Sequence, residues 1–183
     1  DDLTFLDHLI YNFKFFFFVV SIIPLIFISL CLGNFVKPIQ NYLPMLFHKL
    51  LLWLLSIKVE IEGCIEKAKD CNLFLSNHVS YLDIPILGSN LPLRFVAKSE
   101  VESWTLFGFL AKMARTIFIK RNRHNTLGQK DIIKHLLLLK EKVLIFPEGT
   151  TSDGNRVLDF KSSLLSAVEK EDFLIQPITL LYS

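Results

Sequence analysis

With 183 residues and a net charge of +2, the chain is one domain's worth of sequence, long enough to bury a core without disulfides and too weakly charged to argue for nucleic acid as a partner. Half of it (51%) is apolar, 17 residues are Phe and the mean hydropathy is positive, which suits a membrane-attached protein better than a soluble enzyme. Its three cysteines (Cys31, Cys64 and Cys71) are odd in number and lack metal spacing, which argues against a disulfide or zinc framework and reads as reduced, mostly buried thiols.

In chain order, Lys14 and Lys37 bracket 22 uncharged residues, Phe15 to Val36, enough to cross about 30 Å of hydrocarbon as a helix. Pro24 falls within this run and is tolerated in membrane helices, sometimes as a kink. A cleaved signal peptide is the competing reading, but its apolar core is usually shorter and no Ala-x-Ala-type site comes after it. Lys14 alone precedes the run, whereas Lys37, Lys49 and Lys58 come after it, so the positive-inside rule places the rest of the chain on the cytoplasmic side of an inner membrane. Asn41 to Ile57 is apolar nearly all round but short for a span; it reads as a helix in the interface or folded back into the bilayer, with a core helix as the alternative. Residues 1–57 are therefore expected to be membrane-anchoring helices.

From Lys58 the pattern changes. Val59 to Glu62 alternates like a half-exposed strand and ends at Gly63. Strands are expected at Leu73–Leu75, Arg94–Ala97, Thr116–Ile119, Val143–Phe146 and, interrupted by Pro177, Phe173–Leu181. Helices are expected from near Tyr81, over Thr105–Ala114, over about Gly128–Glu141 with Ile132, Ile133, Leu136 and Leu137 on one face, and over Ser162–Glu169. Strands alternating with helices imply an α/β fold: a mainly parallel, mixed sheet flanked by helices, occupying 58–183 and preceded by the N-terminal membrane-embedded helical segment. The sequence opens at Asp1 rather than Met and stops within an apolar run, so truncation at both ends is expected.

Three polar clusters each come directly after a strand: Asn77-His78, Lys120-Arg121 and Glu148-Gly149-Thr150. In a parallel sheet the carboxyl ends of the strands share one edge, where ligands of α/β folds bind, so the clusters should converge there. His78 and Asp83 are five residues apart, which does not stack two side chains on a helix. With His78 in a loop and Asp83 in the next helix, the carboxylate can reach back to one imidazole nitrogen and leave the other to take a proton. Read alone, the same residues are more often a capping Asn beside a bystander His. The Glu148 loop can bind a polyol or simply turn, and Lys120-Arg121 can hold a phosphate or be a solvated basic turn. There is no G-x-S-x-G elbow, H-E-x-x-H, Walker loop or G-x-G-x-x-G, so a base without a protein nucleophile fits direct attack by an acceptor's own hydroxyl.

Taken together, four blocks in order resemble the glycerolipid acyltransferase family, typified by 1-acylglycerol-3-phosphate acyltransferase: Asn77-His78-x4-Asp83, Ile117-Phe118-Ile119-Lys120-Arg121, Phe146-Pro147-Glu148-Gly149-Thr150 and Ile175-Gln176-Pro177-Ile178, with Val96–Glu100 as a further similar segment. The resemblance runs from about Val59 to the end and marks 58–183 as the acyltransferase domain. It implies that His78 deprotonates a lysolipid hydroxyl, which attacks an acyl thioester of CoA or acyl-carrier protein, with Asp83 orienting the His. It further implies that Asn77, Arg121, Glu148, Gly149, Thr150 and Pro177 bind substrate: Arg121 the acceptor phosphate, residues 148–150 the glycerol end, and Pro177 shaping the pocket. No metal and no cofactor beyond the thioester co-substrate is implied. Two positions depart from the family: Arg115 stands where a Gly usually opens the second block, and Thr151 where an Arg is frequent in the third. Such patterns look closer to lyso-ornithine-lipid acyltransferases, whose acceptor lacks glycerol phosphate, although 1-acylglycerol-3-phosphate is the acceptor expected first. Rival readings are a non-catalytic lipid-binding protein and a membrane lipid hydrolase, the latter needing a nucleophile or metal cluster that the sequence does not display.

Overall fold

The structure is a computed structural model that describes residues 5–32, 36–120, 126–165, 168 and 172–182. It divides into two units, Asp1–Glu60 with Pro85–Pro92, and Ile61–Ile84 with Leu93–Ser183. The first takes Pro85–Pro92 in addition to the N-terminal segment, so it is not a simple sequential piece.

Within the first unit, α1 (Phe5–Leu32) and α2 (Lys37–Leu54) form a helical hairpin. The apolar run is helical, but the helix begins ten residues before Phe15 and stops short of Val36, which is extended and precedes Pro38 at the start of α2. Residues Leu6–Cys31 are long and apolar enough to cross a membrane, with a mean hydropathy of 2.4 and 0% of that stretch buried. Lys14 is accommodated inside α1 because its ammonium donates to Ser56 Oγ at 2.8 Å and lies 5.5 Å from the Trp53 ring centre. Phe17 meets Trp53 edge-on and Phe18 packs on Phe47, so aromatic contacts join the two helices. His48 is buried against Gly88, where a Cβ would lie 2.2 Å from the imidazole. Glycine is therefore required at 88 for this approach.

The second unit holds the sheet. It comprises α3 (Ile65–Ala68), β1 (Leu73–Ser76), the start of α4 (Asp83–Gly88), β2 (Arg94–Lys98), a 3-10 turn (Ser99–Ser103), α5 (Thr105–Met113), β3 (Ile117–Ile119), α6 (Thr126–Leu138), β4 (Val143–Ile145), α7 (Ser162–Leu165) and β5 (Ile175–Ile178). The strand order is β3-β2-β4-β1-β5 and every pairing is parallel, with Leu73 opposite both Val143 and Ile175. The central strands are continuous apolar runs, and Leu73, Phe74, Val143 and Leu144 are fully buried, as expected of strands covered on both faces. Ile133 and Leu137 of α6 pack into this core with Ile117, Ile119 and Ile145. Ile132, expected on the same face, is 51% exposed and points away.

Three further expectations are corrected. Val59–Glu62 is not a strand: Glu60, Ile61 and Glu62 are exposed, and the edges of the sheet are β3 and β5. Pro177 does not interrupt the last strand but lies inside β5 opposite Leu75; an edge strand is where a missing N–H can face away from the ladder. The cysteines are not mostly buried, since Cys31 and Cys64 are exposed and Cys71 is half-buried. The expected continuation of α7 towards Glu169 lies largely outside the described residues.

The helices end in an unusual way. Ser56, Arg115 and Lys140 have φ of 57°, 57° and 58°, just past the ends of α2, α5 and α6. At α5, Arg115 N–H donates to Lys112 C=O and Thr116 N–H to Ala111 C=O; the ends of α2 and α6 repeat the pattern. These are Schellman closures, in which the left-handed residue is usually Gly. The Gly expected at position 115 thus has a backbone reason. Here the Arg115 guanidinium is tied to Glu141 at 3.1 Å and its carbonyl accepts from Arg94 Nε at 3.0 Å.

Candidate active site

The chain leaves β1 at Ser76 and reaches the carboxyl edge of the sheet as Asn77-His78-Val79-Ser80. A helix start comes next: Ser80 Oγ accepts the Leu82 N–H at 3.2 Å, and Asp83 Oδ2 reaches back to the Ser80 N–H at 3.1 Å. Ser80-x-x-Asp83 is thus a reciprocal capping box. The box explains the five-residue separation of His78 and Asp83, because it folds the carboxylate back beneath the loop instead of along the helix. His78 Nδ1 lies 2.7 Å from the same Oδ2, and Val79 N–H donates to it at 2.7 Å.

Asp83 is fully buried. Burial pushes its carboxyl up, but hydrogen bonds from His78, the Tyr182 hydroxyl and the Ser80 and Val79 amides together hold it below the usual carboxylate range. A charged carboxylate only accepts, so the proton on the shared bond sits on His78 Nδ1, and Nε2 presents the lone pair. The imidazole stacks on Phe146 with ring centres 4.1 Å apart and planes 16° from parallel, and Phe146 stacks in turn on Phe95. Its side chain is 16% exposed. A ring held in one plane and in one tautomer, with its other nitrogen unbonded among the described residues, is the geometry of a general base.

The loop after β4 clamps the backbone of the same residue. Glu148 is fully buried; its Oε1 accepts the His78 N–H at 2.9 Å and its Oε2 the Leu158 N–H at 2.8 Å. Ser152 N–H then donates to the His78 carbonyl at 2.7 Å. Asn77 binds Leu180 on both sides, its Nδ2 donating to the carbonyl at 3.0 Å and its Oδ1 accepting the N–H at 2.7 Å. Glu148 and Asn77, expected among the substrate ligands, therefore have their polar atoms on protein backbone. Gly149 is half-buried in the turn, with φ of 66°, and Thr150 is exposed beside it.

Of the three polar clusters, the structure brings together the first and the third, which lie just past the adjacent strands β1 and β4. Lys120 is exposed and lies just past β3, three strand positions from β1, or about 14 Å at the usual spacing. Arg121 lies outside the described residues. Pro177 is exposed on β5 beside the His78 strand. Sequence reasoning missed Ser80, although Ser-x-x-Asp before an apolar run is a capping signature, and it missed Phe146 as the stacking partner. It also missed Tyr182, whose hydroxyl donates to Asp83 Oδ1.

Comparison with known proteins converges on one family. The Acyltransferase family model matches residues 57–181. Lyso-ornithine lipid O-acyltransferase of Rhizobium meliloti is 41% identical over 150 residues, covering 81% of this chain and 51% of its own. The protein of the same description from Brucella abortus is 35% identical, over 90% of this chain and 63% of its own. A 1-acyl-sn-glycerol-3-phosphate acyltransferase of Neisseria gonorrhoeae is 32% identical over 62% of this chain and 45% of its own. The chain thus spans about half to two thirds of the length of these relatives. In fold it resembles the crystal structure of PlsC, the 1-acyl-sn-glycerophosphate acyltransferase of Thermotoga maritima, with a TM-score of 0.65, 24% identity, and coverage of 91% of this chain and 71% of that one.

Proposed function

The chain belongs to the acyltransferase family, and we propose on that basis that it is the catalytic part of a membrane lysolipid O-acyltransferase in which His78 is the general base. The observation that carries the reading is the Asp83–His78 pair, with Nδ1 bonded to a charged carboxylate and the ring braced on Phe146. His78 Nε2 takes the proton of the acceptor hydroxyl, whose oxygen attacks the carbonyl carbon of an acyl thioester of CoA or acyl-carrier protein. The C–O bond forms as the C–S bond breaks, and the imidazolium returns its proton to the departing thiolate. A positioned base contributes about 10²–10⁴-fold, and alignment of two bound substrates contributes more. No cofactor enters this scheme. Asn77 and Glu148 act as supports of the His78 loop, and Gly149, Thr150, Pro177 and Arg121 remain the candidates for substrate contact.

We infer lyso-ornithine lipid as the acceptor. The sequence pattern put 1-acylglycerol-3-phosphate first, but the higher identities and longer coverage belong to proteins described as lyso-ornithine lipid O-acyltransferases. Arg115 and Thr151, the two departures from the family pattern, point the same way. An acceptor residing in the bilayer requires an enzyme that meets it there; α1 would cross the inner membrane, residues 1–57 would anchor the chain, and 58–183 would work from the cytoplasmic side. The test is acyl transfer by membranes holding the full-length protein or its His78→Ala variant, given a labelled acyl thioester and either lysolipid. His78-dependent label in ornithine lipid is the expected result. Label in phosphatidic acid alone overturns the acceptor, and label independent of His78 overturns the mechanism.

A further inference from the structure

We propose that Tyr182 is a positioning residue of the dyad: its phenol donates to Asp83 Oδ1 and so holds Oδ2 turned towards His78 Nδ1. The inference rests on the general-base role of His78 and concerns a residue that lies in none of the recognised sequence blocks.

The fold places it there. β5 pairs with β1 as far as Ser76 opposite Ile178, so both chains run past the sheet on the same edge. Asn77 then fixes Leu180 from both sides, which leaves Tyr182 two residues beyond a pinned point. Its ring is partly exposed while its hydroxyl reaches a fully buried carboxylate.

The chemistry assigns the direction of the bond. Oδ2 is already engaged by His78 Nδ1 and by the Val79 and Ser80 amides, so Oδ1 is the oxygen left to be fixed. A carboxylate cannot donate, so the phenol must. Burial, then the hydrogen bond and charge of Asp83, push the Tyr182 hydroxyl above its ordinary value, with the Ser80 hydroxyl opposing, so Tyr182 stays a neutral donor wherever the enzyme works. With both oxygens held, the carboxylate cannot swing away when His78 takes up its proton. Three titratable groups gather here: His78 from the loop after β1, Tyr182 from beyond β5, and Glu148 from the loop after β4, whose carboxylate faces the His78 backbone and not Asp83.

Tyr182→Phe keeps the ring and removes only the donor. Expected is a fall in kcat of about tenfold with the lysolipid KM unchanged within twofold. The Tyr182 bond draws on the charge of the Asp83 carboxylate, so without it the carboxylate holds a proton on the dyad more tightly and the loss of rate on acidification begins at higher pH. In place of Tyr182, 3-fluorotyrosine is a stronger donor of nearly the same shape, and it should move that limb to lower pH even if the Phe variant does not accumulate. Wild-type kcat in Tyr182→Phe, or a raised KM at constant kcat, overturns the proposal. So does a fall in rate matched by a fall in Tm with the acid limb unmoved, which is loss of packing only. His78→Ala run in parallel separates the two claims. If it is inactive while Tyr182→Phe is normal, only the Tyr182 role falls; if it turns over normally, the base falls and the positioning role with it.

Discussion

Replacing Asp83 with Asn removes a charge and leaves the side-chain volume almost unchanged, so its effect can be worked from the four hydrogen bonds at that carboxylate. Oδ2 receives N–H groups from His78 at 2.7 Å, Val79 at 2.7 Å and Ser80 at 3.1 Å. An Asn amide nitrogen at that point would face two backbone donors, each left unsatisfied at about 1–3 kcal/mol. With the amide oxygen there instead, the nitrogen faces the Tyr182 hydroxyl, which can accept. The second arrangement wins by about 2–6 kcal/mol, and it keeps His78 protonated on Nδ1. Asp83→Asn therefore preserves the tautomer and loses only the charge beside the imidazolium, the difference between a charge-assisted and a neutral bond. That is about 1–1.5 kcal/mol, or roughly 5- to 10-fold in kcat. Asp83→Ala also removes the acceptor and frees the ring, so its loss should approach about 10³–10⁴-fold. The assay is kcat at saturating thioester and lysolipid in detergent–lipid micelles, with each variant's active fraction set by its thermal transition. If Asp83→Asn is as slow as Asp83→Ala, the amide has turned its nitrogen to His78, and the argument from the two backbone donors is refuted.

Three other outcomes rest on the same geometry. Glu148→Gln should lower Tm by several degrees and reduce kcat, because both oxygens accept backbone N–H groups and an amide nitrogen at either leaves a buried donor facing a donor, about 1–3 kcal/mol. A calorimetric scan showing an unchanged Tm would contradict that role. At position 115, Arg115→Gly should be more stable than Arg115→Ala by about 1–2 kcal/mol in denaturant unfolding, since both lose the Glu141 pair but only Gly escapes the left-handed strain. Equal stabilities would mean the backbone there is not strained. For acid, Asp83 sits below its unfolded value, so its stabilisation is complete above about pH 4 and is lost as pH falls through the lower folded value. Wild type should lose more stability than Asp83→Asn over that acid range, and parallel curves would show that the carboxylate is not held down.

The sheet was legible where burial is two-sided. Leu73–Phe74, Phe95 and Val143–Ile145 are continuous apolar runs, and their alternation with helices implied parallel pairing. Val59–Glu62 misled because strand-like alternation cannot reveal whether a partner strand exists. Helix ends were obscure because Ser56, Arg115 and Lys140 close their helices in a conformation that sequence normally signals with Gly. At the site, spacing alone left open whether His78 and Asp83 meet, and the turn at Ser80 is what brings the carboxylate back to the imidazole. Glu148 looked like a substrate ligand because a carboxylate on a loop after a strand carries no mark of being buried. Tyr182 left no local signal, because what makes it matter is a pairing between β1 and β5 that only the folded sheet supplies.

The strand order has a consequence for how the protein is made. β1 carries the His78 loop, yet both of its neighbours, β4 and β5, leave the ribosome much later. Until they arrive, Leu73 and Phe74 have no sheet to enter, and the nascent chain carries an unpaired apolar strand as well as an already emerged hydrophobic hairpin. Such distant pairings fold slowly and expose sticky intermediates. The His78–Asp83 pair can take its final form only once the segment after β5 has docked, and a chain stalled on the ribosome between β4 and β5 cannot close its sheet.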